Sequence, residues 1–151
     1  DIKAITAAGP AGGIIAPHVD HVLVAAFSNT RRTAALRAVA QAGSVRRPAT
    51  SGGTGTLLPL LLAVWLRWRW LAARSLRGVD ALQIPEHQGR LRVLSPRLLS
   101  FAHSLGVEVH VWTVNEAIDM RRLLNAGVDG LITDRADIAL ALVAEWAQTH
   151  S

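Results

Sequence analysis

Residues 109–134 read VHVWTVNEAIDMRRLLNAGVDGLITD and contain two apolar runs that each end in polar residues. The first run ends at Asn115 and the second at Asp134, and a helical pattern over 116–126 lies between them. Asn and Asp are favoured N-cap residues, so we expect Asn115 and Asp134 to cap the helices that follow them. Gly127 stands where the intervening helix should stop. The stretch therefore predicts a strand–helix–strand unit.

The same alternation extends upstream along the chain. Predicted strands lie at 21–27, 79–85, 107–114 and 130–133, with a short extended piece at 90–94. Predicted helices lie at 31–42, 56–76 and 116–126, and a further one starts at Ser95-Pro96, an N-cap followed by the first helical position. Such alternation favours parallel strands joined by helical crossovers, and it leaves no room for hairpins. In α/β folds of this kind, the active site lies at the carboxyl ends of the strands.

Composition places the chain among globular proteins. It has 151 residues, which suggests one domain, and half of them are apolar. The formal net charge is +5, and 15 of the 16 basic residues are Arg. A positive balance favours anionic partners, but Arg side chains on the outer helices of a soluble protein are the favoured explanation of this charge. No residue is Cys, which excludes disulfides and thiolate metal sites.

Targeting and membrane signals are weak in this sequence. No charged segment precedes an apolar run at the start, so a signal peptide is not expected. The longest apolar run, LLPLLLAVWL at 57–66, is shorter than the roughly 20 residues that a membrane span requires. We therefore expect a cytoplasmic protein.

Several segments together resemble one enzyme family. Residues 109–137, VHVWTVNEAIDMRRLLNAGVDGLITDRAD, resemble the end of a glycerophosphodiester phosphodiesterase. VLVAAFS at 22–28, VDALQIP at 79–85 and DIKA at 1–4 are similar to earlier strands of that family, with Asp1 in place of its usual Glu. The family is a TIM barrel, so the resemblance implies a partial (β/α) barrel containing only the later strands and helices. It implies one incomplete phosphodiesterase barrel domain over 1–151, with the early strands missing.

The resemblance also implies a chemistry. The family hydrolyses glycerophosphodiesters to glycerol 3-phosphate and an alcohol, using a divalent cation, Ca²⁺ or Mg²⁺, held by carboxylates. Its early strands carry His-Arg-Gly, Glu-x-Asp and His-Asp motifs, which do not occur in this sequence. No catalytic acid or base is therefore carried over, and we expect the chain alone to be inactive. A different TIM-barrel or doubly wound enzyme acting on a phosphorylated substrate is supported only by the fold pattern.

Four residues carry over from the family's site. Asp1 corresponds to a metal ligand, and Lys3, two residues later on the same strand face, would contact a phosphoryl oxygen. Trp112 and Phe27 would line the substrate pocket. The alternatives are an ordinary exposed terminal pair for Asp1 and Lys3, and core packing for the two aromatic residues. Glu86, after the 79–85 strand, is expected to be solvated.

One weaker feature is a group of two histidines and an aspartate ahead of the first predicted strand. A metal site could be formed by His18, Asp20 and His21, but the spacing of these residues alone is a weak signal.

The predicted helix at 56–76 carries clustered Trp and Arg side chains. Trp65 and Trp68 are expected to face the core, three residues apart on one helix face. The alternative is peripheral contact with an anionic membrane through these rings together with Arg67 and Arg69, in which case the chain would be a degenerate barrel serving as a lipid-binding module. An open set of strands also predicts self-association through its edges. No nucleic-acid partner is expected.

Overall fold

The computed structural model describes residues 2–149. They form alternating strands and helices, so the predicted α/β class is confirmed. The chain divides into two compact units, Asp1–Leu82 and Gln83–Ser151, and each is described by itself. The prediction of a single domain over 1–151 stays a prediction.

Besides 3₁₀ helices at Ile5–Ala7 and Ala16–His21, the first unit contains three parallel strands and four α-helices among its described residues. They are α1 (Ala8–Ile15), β1 (Leu23–Val24), α2 (Asn29–Gln41), β2 (Ala49–Gly52), α3 (Thr54–Leu66), α4 (Arg69–Ser75) and β3 (Ala81–Pro85), which ends in the second unit. Leu23 pairs with Ala49, and Ser51 pairs with Ala81. The helices cover the strands through small or branched side chains that are almost fully buried, among them Ala35, Val39 and Leu60.

The second unit begins with a small hairpin and continues with two parallel strands and three helices. They are β4 (His87–Gln88), β5 (Leu91–Arg92), α5 (Pro96–His103), β6 (Glu108–Trp112), α6 (Ala117–Asn125), β7 (Gly130–Leu131) and α7 (Ala136–Thr149). In β6, Val109 and Val111 are fully buried, and on α6 Met120 and Leu123 are as well. These apolar contacts form the core of this unit.

Three local predictions were wrong. The expected helix at 56–76 is two helices, because the chain leaves α3 at Arg67 in a left-handed conformation, with φ of 60°. A hairpin is present, since β4 pairs antiparallel with β5. Trp65 and Trp68 do not face the core; they are 75% and 47% exposed. Spacing along a helix shows which residues share a face but not which face is buried.

Of the three predicted helix N-caps, one is confirmed and two are wrong. The Ser95 side chain accepts a hydrogen bond from Leu98 N at 3.2 Å, as expected of an N-cap before Pro96. Helix α6 instead begins at Ala117 with Glu116 as its N-cap residue, so Asn115 lies one position too early to cap it. Asp134 likewise lies two residues before α7.

A Gly-Val-acid triplet begins strands in both units. In Gly127-Val128-Asp129, the glycine has φ of 91° and the valine is buried. Asp129 N donates to Val109 O at 3.0 Å, while Val109 N donates to the Asp129 carboxylate at 2.8 Å. Gly78-Val79-Asp80 repeats this pattern: Asp80 N donates to Thr50 O at 2.9 Å, and Thr50 N donates to the Asp80 carboxylate at 2.8 Å. Each carboxylate therefore holds the start of its own strand beside the preceding one.

Each of these acids also has a cationic or imidazole partner. Two Arg47 nitrogens donate to the two Asp80 carboxylate oxygens at 2.6 and 2.8 Å, and this contact lowers the pKa of Asp80. His103 Nε2 lies 2.8 Å from the Asp129 carboxylate. Because these groups lie at the amino ends of the strands, we assign them to stability rather than to chemistry.

Among residues 2–149, no helix is both long enough and apolar enough to span a bilayer.

Candidate active site

The amino-terminal segment brings Lys3 to the carboxyl end of β1. Ile2 N donates a hydrogen bond to Ala25 O at 2.8 Å, immediately after the strand. The Arg31 guanidinium, from the first turns of α2, donates to the Lys3 carbonyl and holds the segment in place. The Lys3 side chain is exposed. Its ammonium is therefore available to an anion at this end of the first unit.

Phe27 lies at the same end of β1. Phe27 is 57% exposed, so the alternative of core packing is wrong for this residue. Its carbonyl accepts two hydrogen bonds from Thr54, from the backbone nitrogen at 3.0 Å and from the hydroxyl at 3.1 Å. A Cβ on Gly53 would lie 2.6 Å from that carbonyl oxygen. The absence of a side chain at Gly53 thus allows the loops after β1 and β2 to meet.

Trp112 ends β6 in the second unit and is half-buried. Residues two apart on a strand share a face, so Glu108, His110 and Trp112 lie on the face opposite the buried valines. His110 Nε2 lies 2.9 Å from the Glu108 carboxylate, and the His110 side chain is 19% exposed. This pair was not predicted from the sequence, although the alternation of apolar and polar residues along the strand is the signal that could have indicated it.

Asn115 joins the loops that follow β6 and β7. Its side-chain oxygen accepts from Asp134 N at 3.0 Å and from the Thr133 hydroxyl at 3.1 Å. Its amide nitrogen donates to the Asp134 carboxylate at 3.3 Å. The two polar strand ends that the sequence predicted as separate caps are therefore partners of each other. They set the relative position of the two loops at the carboxyl end of this unit.

Glu86 is ion-paired rather than solvated, contrary to expectation. Both of its carboxylate oxygens accept hydrogen bonds from Arg122, at 2.9 and 2.7 Å, and its side chain is 20% exposed. This contact lowers the pKa of Glu86, and together with Asp119 it raises the pKa of Arg122. The bidentate pair ties the loop after β3 to α6.

The described residues do not fit a divalent-cation site. Within residues 2–149, no three His, Asp or Glu side chains come together in an arrangement that could hold a metal ion. This applies to His18, Asp20 and His21, where Asp20 instead accepts a hydrogen bond from Arg46. Asp1, the expected ligand, lies outside the described residues.

The four predicted site residues are therefore placed as follows. Lys3 and Phe27 occupy the carboxyl end of the strands in the first unit, and Trp112 occupies the corresponding position in the second. Asp1 is not described. Comparison with known proteins shows the family to which the chain belongs.

Residues 22–138 match the Glycerophosphoryl diester phosphodiesterase family. The chain belongs to this family. The match includes Phe27, Trp112, Asn115 and Asp134, while Lys3 lies ahead of it.

Individual relatives agree with the family. The chain is 40% identical over 151 residues to the "Probable glycerophosphodiester phosphodiesterase 2" of Mycobacterium tuberculosis, covering 97% of this chain and 55% of that protein. It is 42% identical over 48 residues to the "Glycerophosphodiester phosphodiesterase" of Caldanaerobacter subterraneus, covering 32% of this chain and 20% of that protein. The chain thus spans little more than half the length of the longer-matching relative.

A solved structure shares the fold. The crystal structure of a "Putative glycerophosphoryl diester phosphodiesterase" from Silicibacter pomeroyi DSS-3 superposes with a TM-score of 0.54 and 22% identity. The match covers 83% of this chain and 38% of that one. The predicted fold class, part of a (β/α) barrel, is confirmed.

Proposed function

We propose that this chain provides the later strands of an enzyme that hydrolyses glycerophosphodiesters to glycerol 3-phosphate and an alcohol. The observation that carries the proposal is the position of Lys3, which lies exposed beside the carboxyl end of β1 in a chain of this family. That end is where barrel enzymes bind their substrates.

Lys3 would supply charge to the reaction. Attack on a phosphodiester places negative charge on the phosphoryl oxygens, and an ammonium held close to them stabilises the transition state. Phe27 and Trp112 would contact the glycerol or the departing alcohol with their rings. The half-buried state of Trp112 and the exposed ring of Phe27 are compatible with such a lining.

The chain alone is proposed to be inactive. The hydrolysis needs a base that activates water and an acid that protonates the leaving alkoxide, and the motifs that would supply them are absent from this sequence. A dependence on Ca²⁺ or Mg²⁺ is part of the proposal, but the described residues do not form a cation site. The role of Asp1, self-association and a cytoplasmic location stay predictions.

A chimera tests the proposal. The matching segment of the M. tuberculosis relative is replaced by this chain, and release of glycerol 3-phosphate from glycerophosphocholine is followed with glycerol-3-phosphate dehydrogenase, with Mg²⁺ or Ca²⁺ present. We expect turnover by the chimera and none by the isolated chain. Lys3→Met in the chimera should reduce turnover by about 100-fold or more, the typical loss for one group that stabilises transition-state charge.

The matched control is Arg37→Met, which also removes an exposed cation from the first unit. It should leave turnover within about twofold of the parent chimera, since an isolated surface charge contributes little. Turnover by the isolated chain would overturn the inactivity proposal. A Lys3→Met chimera as active as the Arg37→Met control would remove Lys3 from the site.

A further inference from the structure

Helix α3 has two apolar faces, and only one of them is buried. Leu60, Ala63 and Val64 pack into the first unit. On the opposite side Leu58, Leu62 and Trp65 are 68%, 48% and 75% exposed. Their spacing of four and three residues places them in one stripe along the helix. A soluble helix usually carries polar residues on such a face, so this stripe requires a partner.

Two further exposed rings follow the end of the helix. After Arg67 turns the chain out of α3, Trp68 and Trp70 stack with their ring centroids 6.1 Å apart and an interplanar angle of 23°. They are 47% and 64% exposed. We define the apolar stripe together with these rings as the α3–α4 surface; it consists of Leu58, Leu62, Trp65, Trp68 and Trp70. It contains three of the five tryptophans of the chain.

The charge around this surface has one sign. No Asp or Glu occurs between residues 21 and 79, a span that contains nine Arg residues. Four exposed arginines lie in or next to α4: Arg67, Arg69, Arg74 and Arg77. The first unit has ten Lys and Arg against three Asp and Glu, a formal charge of +7, whereas the second has six against eight, a charge of −2. The positive charge of the protein is therefore concentrated in the unit that carries the exposed rings.

We propose that the α3–α4 surface docks on an anionic phospholipid bilayer. Tryptophan rings with an apolar body and a polar N–H partition to the headgroup region, and arginines beside them are attracted to anionic lipid. At 13 residues α3 is too short to cross the hydrocarbon core, so it lies in the plane of the interface with its apolar stripe inserted. A second copy of this chain fits the surface less well, because it would bring the same arginines against each other.

Vesicle co-sedimentation tests the proposal with the full 151-residue chain. The probes are vesicles of phosphatidylcholine alone and vesicles in which 30 mol% is replaced by phosphatidylglycerol. We expect at least about tenfold stronger partitioning to the anionic vesicles, because two or more arginines each contribute about fivefold near such a surface. Raising NaCl from 0.05 to 0.5 M should remove most of this preference.

Two variants separate the apolar and the electrostatic contributions. Trp65→Ser should weaken binding to anionic vesicles by about tenfold, since it removes the largest inserted side chain. Arg74→Gln combined with Arg77→Gln should weaken it by about 25-fold and reduce the salt dependence. The matched controls in the second unit, Leu140→Ser at a 74% exposed position and Arg97→Gln, should stay within about twofold of the parent.

Tryptophan fluorescence supplies a second readout that does not depend on sedimentation. Anionic vesicles should shift the emission to shorter wavelength, and lipids brominated on the acyl chains should quench it in the parent but much less in Trp65→Ser. Circular dichroism shows whether each variant is folded. If Trp65→Ser is not folded, the double variant with Arg74→Gln and Arg77→Gln tests the proposal instead.

Equal binding to neutral and anionic vesicles would overturn the proposal. So would equal losses in the variants and their controls. Absence of vesicle binding together with a concentration-dependent dimer that Trp65→Ser dissociates would assign the surface to a second copy and also overturn it.

Discussion

Replacing Asp129 by alanine is expected to destabilise the second unit by about 2–3 kcal/mol. The Asp129 carboxylate accepts the hydrogen bond from Val109 N at 2.8 Å, and Val109 is fully buried at the start of β6. Without this acceptor a buried N–H is left unpaired, which costs about 1–3 kcal/mol. The exposed contact with His103 adds about 0.5 kcal/mol more.

Urea unfolding and hydrogen exchange measure this effect together. Unfolding followed by circular dichroism gives the change in free energy, while exchange at the Val109 amide reports it at the residue concerned. A loss of 2–3 kcal/mol corresponds to exchange that is about 30- to 150-fold faster. Asp129→Asn should keep most of the stability, because the amide oxygen can still accept the bond from Val109.

Two control variants separate the effect of the backbone hydrogen bond from that of exposed charged contacts. His103→Ala removes only the exposed partner and should cost about 0.5 kcal/mol. Asp137→Ala removes a solvent-exposed carboxylate, paired with Arg135 at the start of α7, and should be clearly less destabilising than Asp129→Ala. If Asp129→Ala is no more destabilising than His103→Ala, the backbone hydrogen bond does not contribute as argued.

Three further predictions concern packing, pH and the candidate site. Gly12→Ala should destabilise by about 1–3 kcal/mol, since its Cβ would lie 2.6 Å from the backbone of α2, whereas Gly13→Ala on the open side of the same helix should stabilise by about 0.5–1 kcal/mol; thermal unfolding that ranks them otherwise refutes the packing. Because Arg122 lowers the pKa of Glu86 in the folded state, the pair contributes stability above the ordinary Glu pKa of about 4.3 and loses it as the pH falls through the folded value; Arg122→Met should therefore flatten the acid side of a stability–pH curve by about 0.5–1 kcal/mol, and an unchanged curve contradicts this. Asn115→Leu should cost about 1–2 kcal/mol in urea unfolding because it removes all three side-chain hydrogen bonds between the β6 and β7 loops, and a cost near zero would show that the loops hold their positions without it.

Local signals in the sequence were sufficient for much of the fold. Ser95-Pro96 begins α5 as predicted, and α6 (Ala117–Asn125) lies within the helix predicted over 116–126. Parallel strands followed from the alternation of apolar runs and helical patterns. These features depend on residues close together in the chain, where propensity and periodicity act directly.

Features that depend on distant partners were not predictable in this way. Asn115 is a residue type that favours the N-cap position. Its side-chain oxygen instead accepts hydrogen bonds from residues of the β7 loop, which are 18 and 19 positions away. Glu86 looked solvated because its partner Arg122 is 36 positions further along. The outward direction of Trp65 could not be read from spacing, since α3 is apolar on both faces. The resemblance, rather than the periodicity, pointed to Lys3.

The Gly-Val-acid triplet has a consequence for how barrels of this kind can be divided and rejoined. Register between neighbouring strands is usually specified by the apolar pattern along each strand and by the geometry of the connecting turn. At Asp80 and at Asp129, one carboxylate accepts a hydrogen bond from the backbone of the neighbouring strand. The register of each strand pair is therefore specified separately. A cut made between such pairs leaves each piece with its own alignment intact. Shuffled or split barrels should therefore tolerate a junction between β3 and β6, which keeps each carboxylate in the same piece as its backbone partner, better than a junction between Thr50 and Asp80 or between Val109 and Asp129.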